Sequence, residues 1–341
     1  MEEIMFKVYV DGQHGTTGLL VNERLKNHPK VEILDIPFEE RHNKELRIQL
    51  LNEADIVFLC LPDDAAKESV ALITNPKTKI IDASTAHRVD ENWTYGLPEL
   101  NAQQRVAIEQ ATYVTNPGCH STAAIIALYP LIQEGILSHE AQLTLLSVTG
   151  YSGGGKQMIE TYDKTLELAY KAPRQYAFNM NHKHIPEMMK YARLETQPLF
   201  MPIVSNFERG LAVTVPLAKS QLNIGGQQKD NQQKDNQSKD IQPKNNQPKN
   251  IQPKDIVEIY KRYYADSYFI QVHELNDPSG LVDGGFNVQG CNQTNNLDLY
   301  VYGNDEQFHI ISRLDNLGKG ASGAAIQNMN IMLGIDEKTG L

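Results

Sequence analysis

A short β-rich run, Phe6–Val10, leads at once into Asp11-Gly12-Gln13-His14-Gly15-Thr16-Thr17-Gly18 and then into an amphipathic stretch, Leu19–Lys26. No other junction restricts the possible folds of this chain as much. Glycines three apart let a backbone turn tightly, and the amides that open the following helix carry partial positive charge. A strand, a glycine turn and a helix N-terminus in that order make a phosphate cradle at the end of a parallel strand. The spacing is GxxGxxG, not GxGxxG, and a plain turn is the competing structural role. Gly12, Gly15, Thr16, Thr17 and Gly18 are the candidate dinucleotide contacts. As far as Thr115 the chain keeps the same rhythm. Val31–Ile36, Ile56–Leu61, Lys79–Ala83 and Thr112–Thr115 read as strands and Glu45–Leu51 as a helix. Ile56–Leu61 is uninterrupted apolar sequence, as in strands covered on both faces. The fold class is therefore α/β, with an N-terminal Rossmann-type, doubly wound parallel sheet.

The second half changes character. Ala141–Thr149, Leu199–Ser205, Leu211–Leu217, Tyr268–Val272, Leu297–Tyr302 and Gln307–Leu314 are strand-like, and few helices separate the later ones. An α+β domain with a mixed, largely antiparallel sheet follows. A last helix, Lys319–Leu333, carries small residues on its early turns. From Gln227 to Asp255 a five-residue unit repeats six times. Five matches neither the helical nor the strand period and the segment is nearly free of apolar side chains, so it reads as a disordered surface insertion.

A net charge of −10 lacks the basic footprint of nucleic-acid binding. The longest apolar runs fall far short of the about 20 residues that cross a bilayer, so no membrane association is expected. The N-terminus shows no secretory signal. Three widely spaced cysteines argue for a reducing cytoplasm rather than a disulfide framework.

Four further segments carry chemistry. In Asn116-Pro117-Gly118-Cys119-His120-Ser121-Thr122, Cys119 falls on the first turn of an apolar helix. Amide donors there favour a thiolate and mark a nucleophile; Cys60 and Cys291 have the plainer role of packing. A cysteine nucleophile needs a proton partner, and Asn181-His182-Lys183-His184-Ile185-Pro186-Glu187 offers one. In an extended segment before a proline, His182, His184 and Glu187 would face one pocket. A zinc pair is the competing use of these histidines, but no further ligands lie nearby in sequence, and no metal is expected. Ser84 and Arg88 follow the Lys79–Ala83 strand at the end where ligands bind, and Arg88 offers a fork for anionic oxygens. Gly150–Gly155, with Gly153 and Gly154, reads as a ligand-facing loop. At the end of the second strand, Asp35 favours NAD by accepting from a ribose hydroxyl, whereas Arg41 would suit the 2′-phosphate of NADP. Residues alone leave the two coenzymes even.

Taken together, DGQHGTTG, DASTAHR, YGLPEL, NPGCHSTA, TGYSGGGK, HKHIPEM and DNLGKGASGAAIQNMN resemble the N-acetyl-γ-glutamyl-phosphate reductases of arginine biosynthesis, in their shorter form. The resemblance spans the chain apart from the 227–255 repeat. It implies a fold like aspartate-semialdehyde dehydrogenase, with residues 1–118 as nucleotide-binding domain, rejoined by a C-terminal helix over 318–341, and 119–317 as catalytic and oligomerisation domain. It further implies NADPH as coenzyme and N-acetyl-L-glutamyl 5-phosphate as substrate. Cys119 would be the nucleophile and His182 or His184 the acid/base. Arg88, Ser84 and Glu187 would bind substrate, and Gly153, Gly154 and Asn316 would lie on the nicotinamide side. A homo-oligomer, dimer or tetramer, is expected. The alternatives are a related semialdehyde dehydrogenase, such as the aspartate enzyme, and a non-catalytic nucleotide redox sensor.

Overall fold

The computed structural model describes residues 5–13, 15–40, 43–222 and 251–341. Six strands, β1 (Phe6–Asp11), β2 (Val31–Leu34), β3 (Ile56–Leu59), β4 (Lys79–Asp82), β5 (Thr94–Tyr95) and β6 (Tyr113–Thr115), form a parallel sheet in the order β2-β1-β3-β4-β6-β5. The helices between them are α1 (Thr16–Lys26), α2 (Lys44–Glu53), α3 (Asp63–Leu72) and α4 (Ala102–Gln110). Alternate residues of β1 show why the strands are apolar throughout. Val8 and Val10 pack on one side with Val21 and Leu25 of α1, while Tyr9 packs on the other with Leu50 and Leu51 of α2. This is the doubly wound α/β arrangement expected from the sequence.

The remaining helices are α5 (Cys119–Gln133), α6 (Gly155–Lys164), α7 (Ile185–Ala192), α8 (Pro253–Tyr263) and α9 (Gly323–Met332). The remaining strands are β7 (Thr144–Gly150), β8 (Arg174–Gln175), β9 (Leu199–Ser205), β10 (Leu211–Ala218), β11 (Ile270–Val272), β12 (Leu281–Val282), β13 (Gly285–Phe286), β14 (Leu297–Gly303) and β15 (Gln307–Leu314). Seven of them make a mixed sheet, ordered β11-β14-β15-β10-β7-β9-β8, and β12 and β13 form a separate hairpin. One face of that sheet packs on α5, α7 and α8. Its other face carries Ala212, Tyr300 and Ile311 beneath Phe286 and Val288. Helix α5 is apolar on every side because it is buried on every side, from His120 to Ile132. It therefore holds its first residue, Cys119, half-buried against the core of the mixed-sheet domain.

Helix α9 does not stay with the mixed sheet. Ala325, Ile326 and Met329 join Val8, Phe58 and Ile81 in the core of the parallel sheet. The expected single helix over Lys319–Leu333 starts instead with a π-helical turn, Gly318–Ser322, and becomes α-helical only at Gly323. The repeat over 227–250 lies outside the described residues. Its expected extension to Asp255 is corrected: Ile251 is buried, and Pro253 begins α8 with Asp255 accepting from the Gln252 N–H at 2.8 Å. The reason is amphipathicity, since Ile256, Val257, Ile259 and Tyr260 continue directly from the repeat into the core.

Candidate active site

The C-terminal ends of β4 and β6 open into a cavity of about 290 Å³ whose other wall comes from the mixed-sheet domain. Cys119, Arg88, His182, His184, Gly153 and Asn316 all line it. Residues far apart in sequence are thus gathered around one sulfur.

Cys119 sits where strand geometry ends. Gly118 is the extended N-cap of α5, at φ −76° and ψ 148°. A Cβ at Gly118 would come within 2.5 Å of His184 Nε2 and 2.6 Å of Arg88 Nη1, so only glycine lets both side chains close on the sulfur. From the other side, a Cβ on Gly320 would stand 2.6 Å from Cys119 Cβ. The π-turn therefore brings backbone against the cysteine, and such turns are frequent at functional sites. The expectation of a lowered thiol pKa is corrected. Burial pushes the Cys119 thiol up to about 11, outweighing the helix-opening His120 N–H and the Arg88 charge that pull it down. The resting group is a thiol.

The two predicted histidines both reach the cavity, but not as an extended pair. His184 is the αR N-cap of α7, and the Ile185 N–H closes a turn on the His182 carbonyl at 3.0 Å. His182 Nδ1 accepts from the His184 N–H at 3.1 Å, and the two rings meet edge-on with centroids 4.8 Å apart. Sequence reasoning gave no role to a third imidazole. His120 is buried beside Cys119, with its ring bonded to Ser147 Oγ at 2.8 Å and Tyr176 Oη at 3.2 Å. The donor atoms of Cys119, His120 and His184 lie within 4.8 Å of one another. Burial holds all three rings neutral, lowering His182 to about 4, His120 to about 3 and His184 well below its ordinary value. His184 Nδ1 is buried without a hydrogen-bond partner.

Arg88 lines the cavity, whereas Ser84 and Glu187 do not. Glu187 lies behind Arg88: its carboxylate accepts from Arg88 Nη1 at 2.7 Å, Tyr95 Oη at 2.9 Å and the Gly118 N–H at 2.9 Å. These three bonds take most of the carboxylate's acceptor capacity, and they fix both Arg88 and the N-cap of α5. Ser84 Oγ donates to Asp82 at 2.7 Å; the same carboxylate holds His87 at 2.6 Å, and His87 stacks on Trp93 at 4.2 Å. Ser84 and Glu187 thus stand behind the cavity wall, bonded to Asp82 and to Arg88, Tyr95 and Gly118. Lys183, exposed between the two histidines, lines the cavity as well. Sequence alone could not distinguish it from a surface lysine.

On the nucleotide side, Gly12 has φ +88°, and a Cβ there would run into the Cys60 carbonyl. A Cβ on Gly18 would run into the Gly12 carbonyl. These collisions show a loop folded as tightly as a phosphate cradle needs. Gly15 is the N-cap of α1 and Thr16 its first residue. Thr17 faces the Cys119 cavity. Beyond the loop lies a second cavity of about 450 Å³, lined by Gly12, Gly15, Lys44 and Arg47. Arg47 is engaged by Asp11 and Ser69. Asp35 is exposed and accepts from Gln13 Nε2 at 2.9 Å, and Arg41 lies outside the described residues. The residues present fit a dinucleotide laid from this cavity toward Cys119. The expected loop Gly150–Gly155 is instead a 3-10 turn, Tyr151–Gly154, running into α6. Asn316 pins it, donating to Ser152 Oγ at 2.9 Å while accepting from the Gly210 N–H at 2.9 Å.

A nucleotide cradle facing a half-buried cysteine defines a class, that of the semialdehyde dehydrogenases. Family models agree: "semialdehyde dehydrogenase, NAD binding domain" matches residues 7–108 and "semialdehyde dehydrogenase, dimerisation domain" matches 119–234. Solved structures share the fold. Aspartate semialdehyde dehydrogenase II of Vibrio cholerae, complexed with ASA, superposes with a TM-score of 0.65 over 97% of this chain and 98% of that one, at 14% identity. The Candida albicans aspartate semialdehyde dehydrogenase with NADP gives 0.59 at 13% identity, over 96% of this chain and 98% of that one. Sequence relatives are more specific. N-acetyl-γ-glutamyl-phosphate reductase 2 of Nostoc is 40% identical over 98% of this chain and 99% of its own. The enzyme of Chelativorans is 40% identical over 96% and 98%, and reductase 2 of Pseudomonas putida 37% over 96% of both. The chain belongs to the N-acetyl-γ-glutamyl-phosphate reductase family. It is an oxidoreductase with a nicotinamide-nucleotide-binding domain.

Proposed function

We propose that the protein reduces N-acetyl-L-glutamyl 5-phosphate to N-acetyl-L-glutamate 5-semialdehyde with NADPH, releasing phosphate, by way of a thioester on Cys119. The observation that carries this is the gathering of Cys119, the histidines and Arg88 in one cavity beside the nucleotide cradle. The names of the sequence relatives supply the substrate. The aspartate enzymes match at 13–14% identity and support the fold alone.

Because the resting sulfur is protonated and the imidazoles are neutral, attack and proton removal are coupled. His184, one ring nitrogen of which lies within 4.8 Å of the sulfur, takes the thiol proton as Sγ bonds to the acyl carbon and the carbon–oxygen bond to phosphate breaks, the departing phosphate taking a proton from solvent. His182 orients it through the turn they share. Arg88 and Lys183 face the anionic groups of the substrate, and Glu187 and Ser84 act behind them as positioning residues. NADPH, when bound, supplies the hydride that reduces the thioester. His184 then returns its proton to sulfur as the carbon–sulfur bond breaks and the semialdehyde leaves.

Gly12, Gly15, Thr16, Thr17 and Gly18 would hold the pyrophosphate, and Gly153, Gly154 and Asn316 the nicotinamide end. Residues 1–118 with 318–341 would form the nucleotide-binding domain and 119–317 the catalytic one. The match to a dimerisation domain supports a homo-oligomer, and we place the enzyme in the cytoplasm. Among the described residues no helix is long and apolar enough to cross a membrane.

The test is phosphate- or arsenate-dependent NADP reduction with the semialdehyde, run beside NAD. Cys119→Ala is expected to abolish turnover while NADPH still binds. A folded variant that loses both would contradict the role given to the cysteine, and a wild-type enzyme inert toward the semialdehyde would favour a nucleotide sensor.

A further inference from the structure

We propose that Cys119, His120 and His184 form a capture site for a borderline-soft divalent cation, zinc by preference, which blocks the enzyme reversibly. One thiol and two imidazoles are zinc's preferred donors, and three protein ligands with one position open to solvent is a common zinc arrangement. Here the three donor atoms lie within 4.8 Å of one another on the wall of a cavity open to ions. Tetrahedral zinc, with bonds of about 2.0–2.3 Å, sets its ligand atoms roughly 3.5 Å apart. The site therefore closes by about 1 Å on binding, within reach of small rotations of three side chains. Two features make it more than a chance cluster. His184 Nδ1 is buried without a hydrogen-bond partner, so the ring makes no side-chain bond at that nitrogen that a metal would have to displace. His120 is held in place from behind by Ser147 Oγ, and Tyr176 Oη alone occupies its other ring nitrogen.

On binding, a sulfur–zinc bond forms and the thiol proton passes to solvent; no oxidation state changes. With sulfur and His184 both occupied, neither nucleophile nor base is available to substrate. The site rests on the three donors alone, independently of the substrate assignment, and metal binding is read from calorimetry, absorption and alkylation without turnover.

Zn²⁺ alone is titrated into chelator-treated, full-length protein by calorimetry, and Co²⁺ replaces it for absorption spectroscopy. One ion per chain is expected, with a thiolate-to-cobalt charge-transfer band and protection of Cys119 from iodoacetamide in mapped peptides. EDTA restores both alkylation and turnover. Cys119→Ser should lose the band and weaken zinc binding at least about tenfold, the scale on which even a supporting shell matters. Tyr176→Phe, which frees His120, should tighten it. Equal zinc affinity in folded Cys119→Ser, or a cobalt complex without the thiolate band, would overturn the proposal.

Discussion

Two opposing effects meet at Cys119: the opening of α5 draws the thiol down and burial drives it up, and burial prevails, to about 11. Alkylation of Cys119 by iodoacetamide should therefore accelerate roughly tenfold per pH unit from 7 to 10, following the thiolate fraction. A plateau at neutral pH would show that the helix terminus wins. Behind the site, Glu187→Gln leaves the Arg88 guanidinium buried without its anion, and breaking such a pair costs about 3–5 kcal/mol. Urea titration checks the stability, and kcat/KM for the acyl phosphate should fall with it. Lys183→Ala touches nothing structural among the described contacts. It should raise KM by about tenfold, the worth of one charge-assisted contact near 1.4 kcal/mol, with little change in melting temperature.

Among the elements, the π-turn before α9 carries the sharpest constraint. Gly320→Ala would press a methyl group on Cys119 Cβ, so the turn or the cysteine must shift. Displacing a reacting atom by about 1 Å can cost on the order of 10²-fold in rate, so kcat should fall by that much while circular dichroism stays unchanged. On the outer face of the mixed sheet, His273 stacks on Tyr300 at 3.9 Å and bonds to Asp277 at 3.0 Å. Burial opposes its charge, but Asp298 and Asp277 outweigh that and raise its pKa above 6.5. The stabilisation is complete below 6.5 and is lost as pH climbs through the raised value. His273→Gln should accordingly lower the melting temperature more at pH 6 than at pH 9. Strands with a continuous apolar run or strict alternation, such as β3 and β10, were legible in the sequence. Helices α3, α4 and α6 were not, because their buried residues are few and their polar faces long; α7 is a short helix with Pro186 in its first turn, and its segment read as extended.

For the molecule as a whole, removing residues 227–250 and rejoining the ends with a short linker should leave melting temperature and activity nearly unchanged. Extending the deletion to Asp255 should not, because it also takes buried Ile251 and the start of α8. Loss of one buried isoleucine costs about 2–5 kcal/mol, and thermal unfolding of the two deletions side by side checks the boundary. The glycine loop, the parallel sheet, the cysteine at a helix start and the family were all settled by the sequence, since each depends on local backbone demands or on an ordered set of motifs. Three matters were left to the tertiary structure. The position of His120 against Cys119 needs α5 packed on β7, through the bond to Ser147. The withdrawal of Glu187 and Ser84 from the cavity depends on which partners reach them first. The protonation of the sulfur depends on how much water the folded domains leave around it, and solvation is a property of the assembled molecule, not of any segment of chain.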